Sequence, residues 1–150
     1  MNDDMVFRSY EVRDREGAIS LWKKCGLVVP WNDPVADIAR KVEVGGELFL
    51  VGELSGDIVA TVMGGYEGHR GWVNYLAVSP KYRRCGYGRA IMAEVERRIK
   101  ARGCPKINLQ VRSTNSEVIS FYGSIGYNVD EVVSLGKRLV GDSCKDKACD

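Results

Sequence analysis

The stretch KYRRCGYGRAIM, from Lys81 to Met92, places two glycines one residue apart directly before a helical pattern. Glycine loses more backbone entropy on folding than other residues and adds no side chain to pack, so a pair at a helix start needs a physical reason. Main-chain N–H groups at a helix N-terminus bind anions, and glycines let a diphosphate reach them without meeting a Cβ atom. The stretch therefore indicates either a phosphate-binding turn or simply a tight loop.

The segments on either side of this turn show different periodicities. After the turn, apolar residues recur at helical spacing as far as about Gly103. Their shared face is formed by Ile91, Met92, Val95 and Ile99. Before the turn, three strand-like segments follow one another at residues 47–54, 57–66 and 71–79, with short connections between them. Because short connections join antiparallel strands, the sequence predicts a meander that leads into an amphipathic helix.

Further elements are predicted toward both ends of the chain. Strands are predicted at residues 5–11 and 106–112, with one or two closing strands within 127–140. Helices are predicted at residues 14–26, from Pro34 to about Gly45, and at 114–126. Asp33 is a suitable N-cap for the second of these helices. The mixture of helices with a meander predicts an α/β (α+β) fold.

Composition narrows the class of protein. A chain of 150 residues with 45% hydrophobic content fits one domain, expected at 1–140, with residues 141–150 as a polar, disordered tail. A net charge of +2 gives no reason to expect nucleic acid as a partner. No apolar run approaches the roughly 20 residues of a membrane helix, and the N-terminus is acidic where a secretory signal is basic. These features predict a cytoplasmic protein without a membrane partner.

The cysteines and the histidine give no metal-binding pattern. Five cysteines, an odd number, are scattered through the chain, which is typical of free thiols in a reducing compartment. They are Cys25, Cys85, Cys104, Cys144 and Cys149. With one histidine in the chain, His69, no metal site is expected.

Two motifs in register resemble one family. Arg83-x-x-Gly86-x-Gly88 follows a strand, and NSEVISFYGSIGY follows some 30 residues later. This combination resembles the GNAT superfamily of acyl-CoA-dependent N-acyltransferases. The resemblance implies a mixed, mostly antiparallel sheet of six or seven strands with about four helices, split in a V between the fourth and fifth strands. Shorter stretches such as PWNDP and SLGKRL resemble the bacterial YpeA acetyltransferase group within it.

The resemblance also implies acetyl-CoA as co-substrate and assigns residues to it. The main chain of Leu76, Ala77 and Val78 would lie along the cofactor, with the N–H of Val78 donating to the thioester carbonyl oxygen. The phosphate loop would comprise Arg83, Arg84, Cys85, Gly86, Tyr87, Gly88 and Arg89. Asn115 would either contact the cofactor or cap the following helix.

Tyr122 matches the family's general acid, which assists departure of the CoA thiolate. Taking ordinary pKa values of about 8.5 for a thiol and 10 for tyrosine, full proton transfer is uphill by about 2 kcal/mol. Hydrogen bonding alone is therefore a sufficient role. The alternative is that Tyr122 is a buried aromatic residue beside Phe121.

The general base is not evident. A lysine-like acceptor must lose a proton, which costs about 4.6 kcal/mol at pH 7. Where the family commonly has glutamate on the fourth or fifth strand, this chain has Trp72 and Gln110. Glu67 and His69 in the hairpin YEGHRG are the candidates, although a polar loop of this kind is often only solvated.

Three functions remain open from the sequence. The first is acetylation of a small amine or amino acid derivative, with Trp31, Tyr66 and Gln110 at the acceptor. The second is acetylation of a protein or peptide, which requires an open groove. The third is a non-catalytic acyl-CoA-binding module, favoured by the missing glutamates and disfavoured by Tyr122. Trp31 also fits a hydrophobic staple before the second helix, and the segment SLGKRLV is a candidate for strand pairing in a homodimer.

Overall fold

The meander predicted from the sequence forms the centre of one sheet in the computed structural model, which describes residues 4–141. The strands are β1 (Val6–Ser9), β2 (Phe49–Leu54), β3 (Asp57–Tyr66), β4 (Gly71–Val78) and β5 (Ile107–Asn108). Their order in the sheet is β1-β2-β3-β4-β5; β1 to β4 pair antiparallel, and β5 lies parallel to β4. The mixed, mostly antiparallel sheet is confirmed.

Four α-helices flank the sheet. They are α1 (Arg15–Lys24), α2 (Pro34–Gly45), α3 (Tyr87–Ala101) and α4 (Ser116–Ser124). Asp33 caps α2 as predicted, because its carboxylate accepts the N–H groups of Val35 and Ala36 at 3.0 and 3.3 Å. Short 3-10 turns lie at Val12–Asp14, Gly46–Leu48 and Pro80–Tyr82.

The core consists of two apolar clusters. One contains Ile91 and Val95 of α3, Tyr122 of α4 and Val73 of β4. The other contains Leu21 and Trp22 of α1, Ile38 of α2, and Phe49, Met63 and Ala77 of the sheet. Because side chains alternate along a strand, neighbouring β4 residues such as Val73 and Asn74 point to opposite sides of the sheet.

Strands β4 and β5 separate after a short contact. They pair only through Gly71 with Ile107 and Trp72 with Asn108. Strand β4 then continues to Val78 without β5 beside it. This leaves an open edge on the C-terminal half of β4, which is the split expected between the fourth and fifth strands.

The expected strand count was wrong toward the C-terminus. Within the described residues the sheet has five strands, the predicted strand at 106–112 is reduced to Ile107–Asn108, and 127–140 contains no strand. The valines of this segment, Val129, Val132, Val133 and Val140, are 73 to 84% exposed, so they do not form a buried apolar face. Side chains attach it instead: Asp130 accepts from Lys106 and Asn108 at 2.8 and 2.9 Å. The strand on which the homodimer expectation rested is therefore not formed.

Two expectations concern features at the limits of the described chain. The predicted disordered tail falls mainly on residues 142–150, which lie outside the described residues. Within 4–141, no helix combines the length and the apolar character needed to cross a lipid bilayer.

Candidate functional site

The N-terminus of α3 begins in a backbone conformation that favours glycine. Gly86 precedes the helix with φ of +83°, and Arg84 also has a positive φ of +64°. A Cβ on Gly86 would meet no atom within 4 Å, so conformation and not space requires the glycine there. The turn directs the N–H groups of the first helical turn, including those of Gly88 and Arg89, out of the helix end.

At position 88 a glycine is required for a different reason, which is close packing. A Cβ there would lie 3.3 Å from the Phe121 ring and 3.6 Å from a methyl group of Val78. The glycine therefore lets the start of α3 approach both α4 and the end of β4. This contact brings together the predicted phosphate turn, the helix that carries Tyr122, and the open edge of β4.

The surface of this turn is basic. Arg83, Arg84 and Arg89 are exposed, and Arg89 also donates to the Ser124 carbonyl at 3.3 Å. Cys85 is exposed within the turn. Tyr87 is buried, so only its main chain lies at the turn. Positive side chains and a helix N-terminus at one place favour an anion.

The open edge of β4 carries main-chain hydrogen-bonding groups. The N–H of Ser79 donates to the Val59 carbonyl at 2.8 Å, which makes these two a hydrogen-bonded pair. Such pairs alternate along antiparallel strands, so the main chain of Val78 and Leu76 faces away from β3, toward the split. Ala77 pairs with Thr61, and its main chain faces β3. The edge thus presents two of the three residues assigned from the family resemblance.

A bulge in β4 lies just before this edge, and sequence reasoning missed it. Tyr75 has φ of +52°, and the β3–β4 register shifts there. The buried Thr61 hydroxyl donates to the Tyr75 carbonyl at 2.8 Å and accepts from the Trp22 indole at 2.8 Å. Trp22 also stacks on the Tyr75 ring at 3.9 Å. A threonine within the otherwise apolar stretch IVATVM was the signal available.

Tyr122 lies in the core cluster beside α3. Its side chain is 9% exposed and makes edge-to-face contacts with Phe121 and Tyr127 at 5.3 and 5.6 Å. Burial raises the pKa of Tyr122 to about 12, so the hydroxyl stays protonated at neutral pH. The side chain can therefore donate a hydrogen bond from a mostly dry position.

Asn115 caps α4, which is one of the two roles expected for it. Its side-chain oxygen accepts the N–H of Val118 at 3.3 Å, and the residue is exposed. A contact between Asn115 and the cofactor stays a prediction.

The hairpin between β3 and β4 does not join the other predicted residues. Glu67 accepts the N–H groups of Arg70 and His69, and these bonds lower the pKa of its carboxyl group. Tyr66 donates to the Gly68 carbonyl at 3.0 Å within the same hairpin. The hairpin precedes the first residue of β4, whereas Val78 is its last, about 23 Å away at the rise of an extended strand. The structure therefore does not bring Glu67 or Tyr66 to the open edge.

Trp31 and Gln110 make contacts with different segments of the chain. The Arg112 guanidinium lies 5.3 Å from the centre of the Trp31 ring, which joins the α1–α2 loop to the segment after β5. Trp31 is 37% exposed, more than a buried staple requires. Gln110 donates to the Ser134 hydroxyl and is exposed. Among residues 4–141, no three or more His, Cys, Asp or Glu side chains form a group that could hold a metal ion.

A cavity that sequence reasoning missed lies between α2 and β4, and we call it the α2–β4 pocket. Its volume is about 390 Å³, within the range of small-molecule sites. Polar and charged residues dominate its wall: Asn32, Asp37, Arg40, Lys41, Asn74 and Tyr75. It adjoins the bulge, and therefore lies next to the open edge of β4.

Known proteins match this chain over most of its length. A protein named Acetyltransferase SG1711 from Sodalis glossinidius (strain morsitans) is 48% identical over 139 residues, covering 92% of this chain and 98% of its own. An acetyltransferase of Yersinia pestis (strain Pestoides F) is 47% identical over 138 residues with the same coverage. Both names are general, so the resemblance to the YpeA group stays a prediction.

Solved structures and a family model agree with these relatives. The ribosomal-protein-S18-alanine N-acetyltransferase from Escherichia coli is 25% identical, with a TM-score of 0.70 over 83% of this chain and 77% of its own. The model of the acetyltransferase (GNAT) family matches residues 17–127. The phosphate turn, the open edge of β4 and Tyr122 all fall within that match, and the chain belongs to the GNAT family of acetyltransferases.

Proposed function

We propose that this protein transfers the acetyl group of acetyl-CoA to the primary amine of a small molecule or amino acid derivative by direct attack of the amine. The observation that carries the proposal is the contact of Gly88 with Val78 and Phe121. It joins an anion-binding helix N-terminus to an unpaired strand edge and to the helix of a buried tyrosine.

These residues fit the chemical groups of acetyl-CoA. The α3 N-terminus with Arg83 and Arg84 suits the diphosphate, because main-chain N–H groups and guanidinium groups both favour phosphate oxygens. The open main chain of Leu76 and Val78 suits the amide groups of the pantetheine arm, which would extend the sheet on this edge. Asn115 at the start of α4 lies on the other side of the split.

Acetyl-CoA would supply an activated acetyl group as a thioester. The N–H of Val78 would donate a hydrogen bond to the carbonyl oxygen, where negative charge develops as the amine attacks. Tyr122 would donate to the departing sulfur. Against an ordinary thiol pKa of about 8.5, a phenol with a pKa of about 12 gives up its proton at a cost of about 5 kcal/mol. Tyr122 therefore acts as a hydrogen-bond donor without full proton transfer.

The acceptor nitrogen must be neutral before it attacks. Trp72 and Gln110 are not bases, and the position of Glu67 gives it no reach to the open edge. Removal of the ammonium proton is therefore assigned to solvent water within the split. We also propose that the protein acts in the cytoplasm, since Cys25, Cys85 and Cys104 are free thiols.

The first test is thermal unfolding with and without acetyl-CoA, with adenosine 3′,5′-bisphosphate as a partial ligand. Ligand at 100 times its Kd stabilises the fold by about 2.7 kcal/mol, which is about 5 to 10 °C for a domain of this size. We expect that shift with acetyl-CoA and a smaller one with the bisphosphate. Release of CoA thiol in the presence of small amines then measures turnover.

The outcomes of these two measurements distinguish the candidate functions from one another. No shift with acetyl-CoA would remove the proposal. A shift without turnover on any amine or peptide would favour a non-catalytic binding module. Turnover on peptides together with inactivity on small amines would identify a protein acetyltransferase and contradict the proposed acceptor class.

A further inference from the structure

The α2–β4 pocket lies where an acceptor would have to approach, an inference that rests on the proposed function. Asn74 and Tyr75 line the pocket, and the next residue, Leu76, begins the open main-chain edge. A molecule in the pocket would therefore lie one or two residues from the group that is to be transferred. The pocket is distinct from the exposed phosphate turn, which lies beyond the other end of this edge.

The wall of the pocket includes a carboxylate that is held in place by hydrogen bonds. Asp37 accepts from the Tyr75 hydroxyl at 2.6 Å through one oxygen and from Arg40 at 3.0 Å through the other. These bonds attach α2 to the bulge of β4. Each oxygen retains a second lone-pair direction, so the carboxylate can also accept from an ammonium group.

The pocket also holds a cation without an opposite charge in contact. Lys41 makes no hydrogen bond and no ion pair within 4 Å among residues 4–141, and its side chain is half-buried. Its nitrogen lies 3.2 Å from where a Cβ on Gly65 would be, so the glycine makes room for it against the sheet. Burial lowers the pKa of Lys41, while the charge of Glu47 raises it and that of Arg102 lowers it.

A half-buried ammonium group has lost part of its hydration, and the charge of Glu47 does not fully compensate, since the pKa of Lys41 is lowered on balance. An anionic ligand would restore the lost interaction, and a charge-assisted hydrogen bond is among the stronger polar contacts. A neutral ligand offers the ammonium group no opposite charge and would not restore this interaction. The wall of the pocket carries Asp37 and, one helical turn further along α2, Lys41, with Arg40 bound to the carboxylate. Charges of both signs match a molecule that also carries both.

We propose that the α2–β4 pocket binds the acceptor, and that the acceptor is a small amine that also carries a carboxylate or phosphate group. Lys41 binds the anionic group and determines specificity. Asp37, held by Tyr75 and Arg40, lies at the amine and accepts its hydrogen bond. The amine is thereby directed toward the open edge of β4.

The test compares acceptors in matched pairs that differ in the anionic group. Amino acids are compared with their methyl esters, and phosphoethanolamine with ethanolamine, so that the two arms distinguish carboxylate from phosphate. CoA release gives kcat and KM for the wild type, for Lys41→Met and for Lys100→Met. Lys100 is an exposed lysine of α3, so its variant removes the same charge away from the pocket.

We expect the wild type and Lys100→Met to prefer the anionic member of at least one pair. Lys41→Met should raise KM for that member at least about tenfold and leave kcat unchanged, because the lost bond to a charged group acts on binding. KM for the neutral member should change less than about twofold. For each variant, kcat/KM of the anionic member is divided by kcat/KM of the neutral member. Comparing this quotient between variants cancels the different intrinsic reactivity of esters and acids.

Three results overturn this proposal, and one of them also removes the proposed function. Equal use of both members of every pair by the wild type would show that no anionic group is recognised. An unchanged preference in Lys41→Met would exclude this lysine. In both cases a normal shift in melting temperature with acetyl-CoA leaves the acetyltransferase proposal standing. Absence of acetyl-CoA binding by the wild type would remove both.

Discussion

Burial of the Tyr122 hydroxyl group determines its protonation state. Burial among apolar residues raises its pKa to about 12, far above neutral pH. The phenol is therefore always protonated and can donate a hydrogen bond to developing negative charge. The pH dependence of turnover should consequently reflect the amine of the acceptor and not Tyr122.

Replacing Tyr122 by phenylalanine tests this role. The ring and its edge contacts remain, while the donor to the departing sulfur is lost. We expect kcat to fall about 100-fold with little change in the shift in melting temperature caused by acetyl-CoA. Steady-state kinetics and thermal unfolding measure the two quantities.

The matched control for Tyr122→Phe is Tyr127→Phe. This control also removes a hydroxyl group, but the Tyr127 hydroxyl donates to Glu96 of α3 at 2.6 Å. This variant should lose about 1 kcal/mol of stability and keep its kcat within about twofold. Equal kcat values for Tyr122→Phe and the wild type would exclude Tyr122 from the reaction.

At the scale of elements, two positions with positive φ, Tyr75 and Gly86, shape the candidate site. The bulge at Tyr75 shifts the β3–β4 register, and contacts with Thr61 and Trp22 hold it in place. Gly86 starts α3 at the opposite end of the open edge. Together they fix where the open strand edge begins and where the proposed phosphate turn lies.

The chain offers a matched pair of glycines to test the α3 turn. Gly86 and Gly103 flank α3 with φ of +83° and +90°, and a Cβ on either would meet no atom within 4 Å. Replacing either by alanine should cost about 1 to 2 kcal/mol of stability, because both conformations are left-handed. Only Gly86→Ala should weaken acetyl-CoA binding, by about tenfold, as the turn relaxes away from its N–H geometry.

Isothermal titration with acetyl-CoA, alongside urea unfolding of both variants, checks this expectation. A similar loss of affinity in Gly103→Ala would mean that binding follows global stability. Full affinity in Gly86→Ala would show that the turn is not part of the site.

At the scale of the whole molecule, an ionic cluster attaches the N-terminal strand to the fold. Arg8 of β1 donates to the buried Asp14 at 2.7 and 2.9 Å and to Glu53 of β2 at 2.6 Å. Burial opposes ionisation of Asp14, but the bonds from Arg8 and from the Glu11 N–H outweigh it. They hold the pKa of Asp14 below its ordinary value of 3.8.

Stability should therefore depend on Asp14 in a pH-dependent way. A lowered folded-state pKa gives stability that is complete above the unfolded value of about 3.8 and is lost as the pH falls through the folded-state pKa. Asp14→Asn should cost about 3 kcal/mol at pH 7, since it leaves Arg8 with a weaker partner. The difference from the wild type should narrow below about pH 4.

Urea unfolding at pH 7, 5 and 3 measures this difference. The exposed Asp57 at the start of β3 provides the control, because Asp57→Asn should change stability by less than about 0.5 kcal/mol. A pH-independent difference for Asp14→Asn would contradict the linkage and assign its effect to packing.

Local patterns in the sequence determined much of this protein. Helical periodicity placed α3, turn residues placed the meander from β2 to β4, and a cap placed the start of α2. The two motifs with Gly86 and Tyr122 gave the family. These features depend on neighbouring residues along the chain, so hydrogen bonding and periodicity reveal them without knowledge of the packing.

Only the tertiary structure decided the rest. The bulge at Tyr75 depends on Trp22 and Thr61, which are far apart in sequence, and the α2–β4 pocket depends on how Lys41 faces Gly65. The predicted closing strands did not form because the valines near the C-terminus have no surface to cover them. Contacts between distant residues carry no local period, which is why neither the α2–β4 pocket nor the strand count was visible in the sequence.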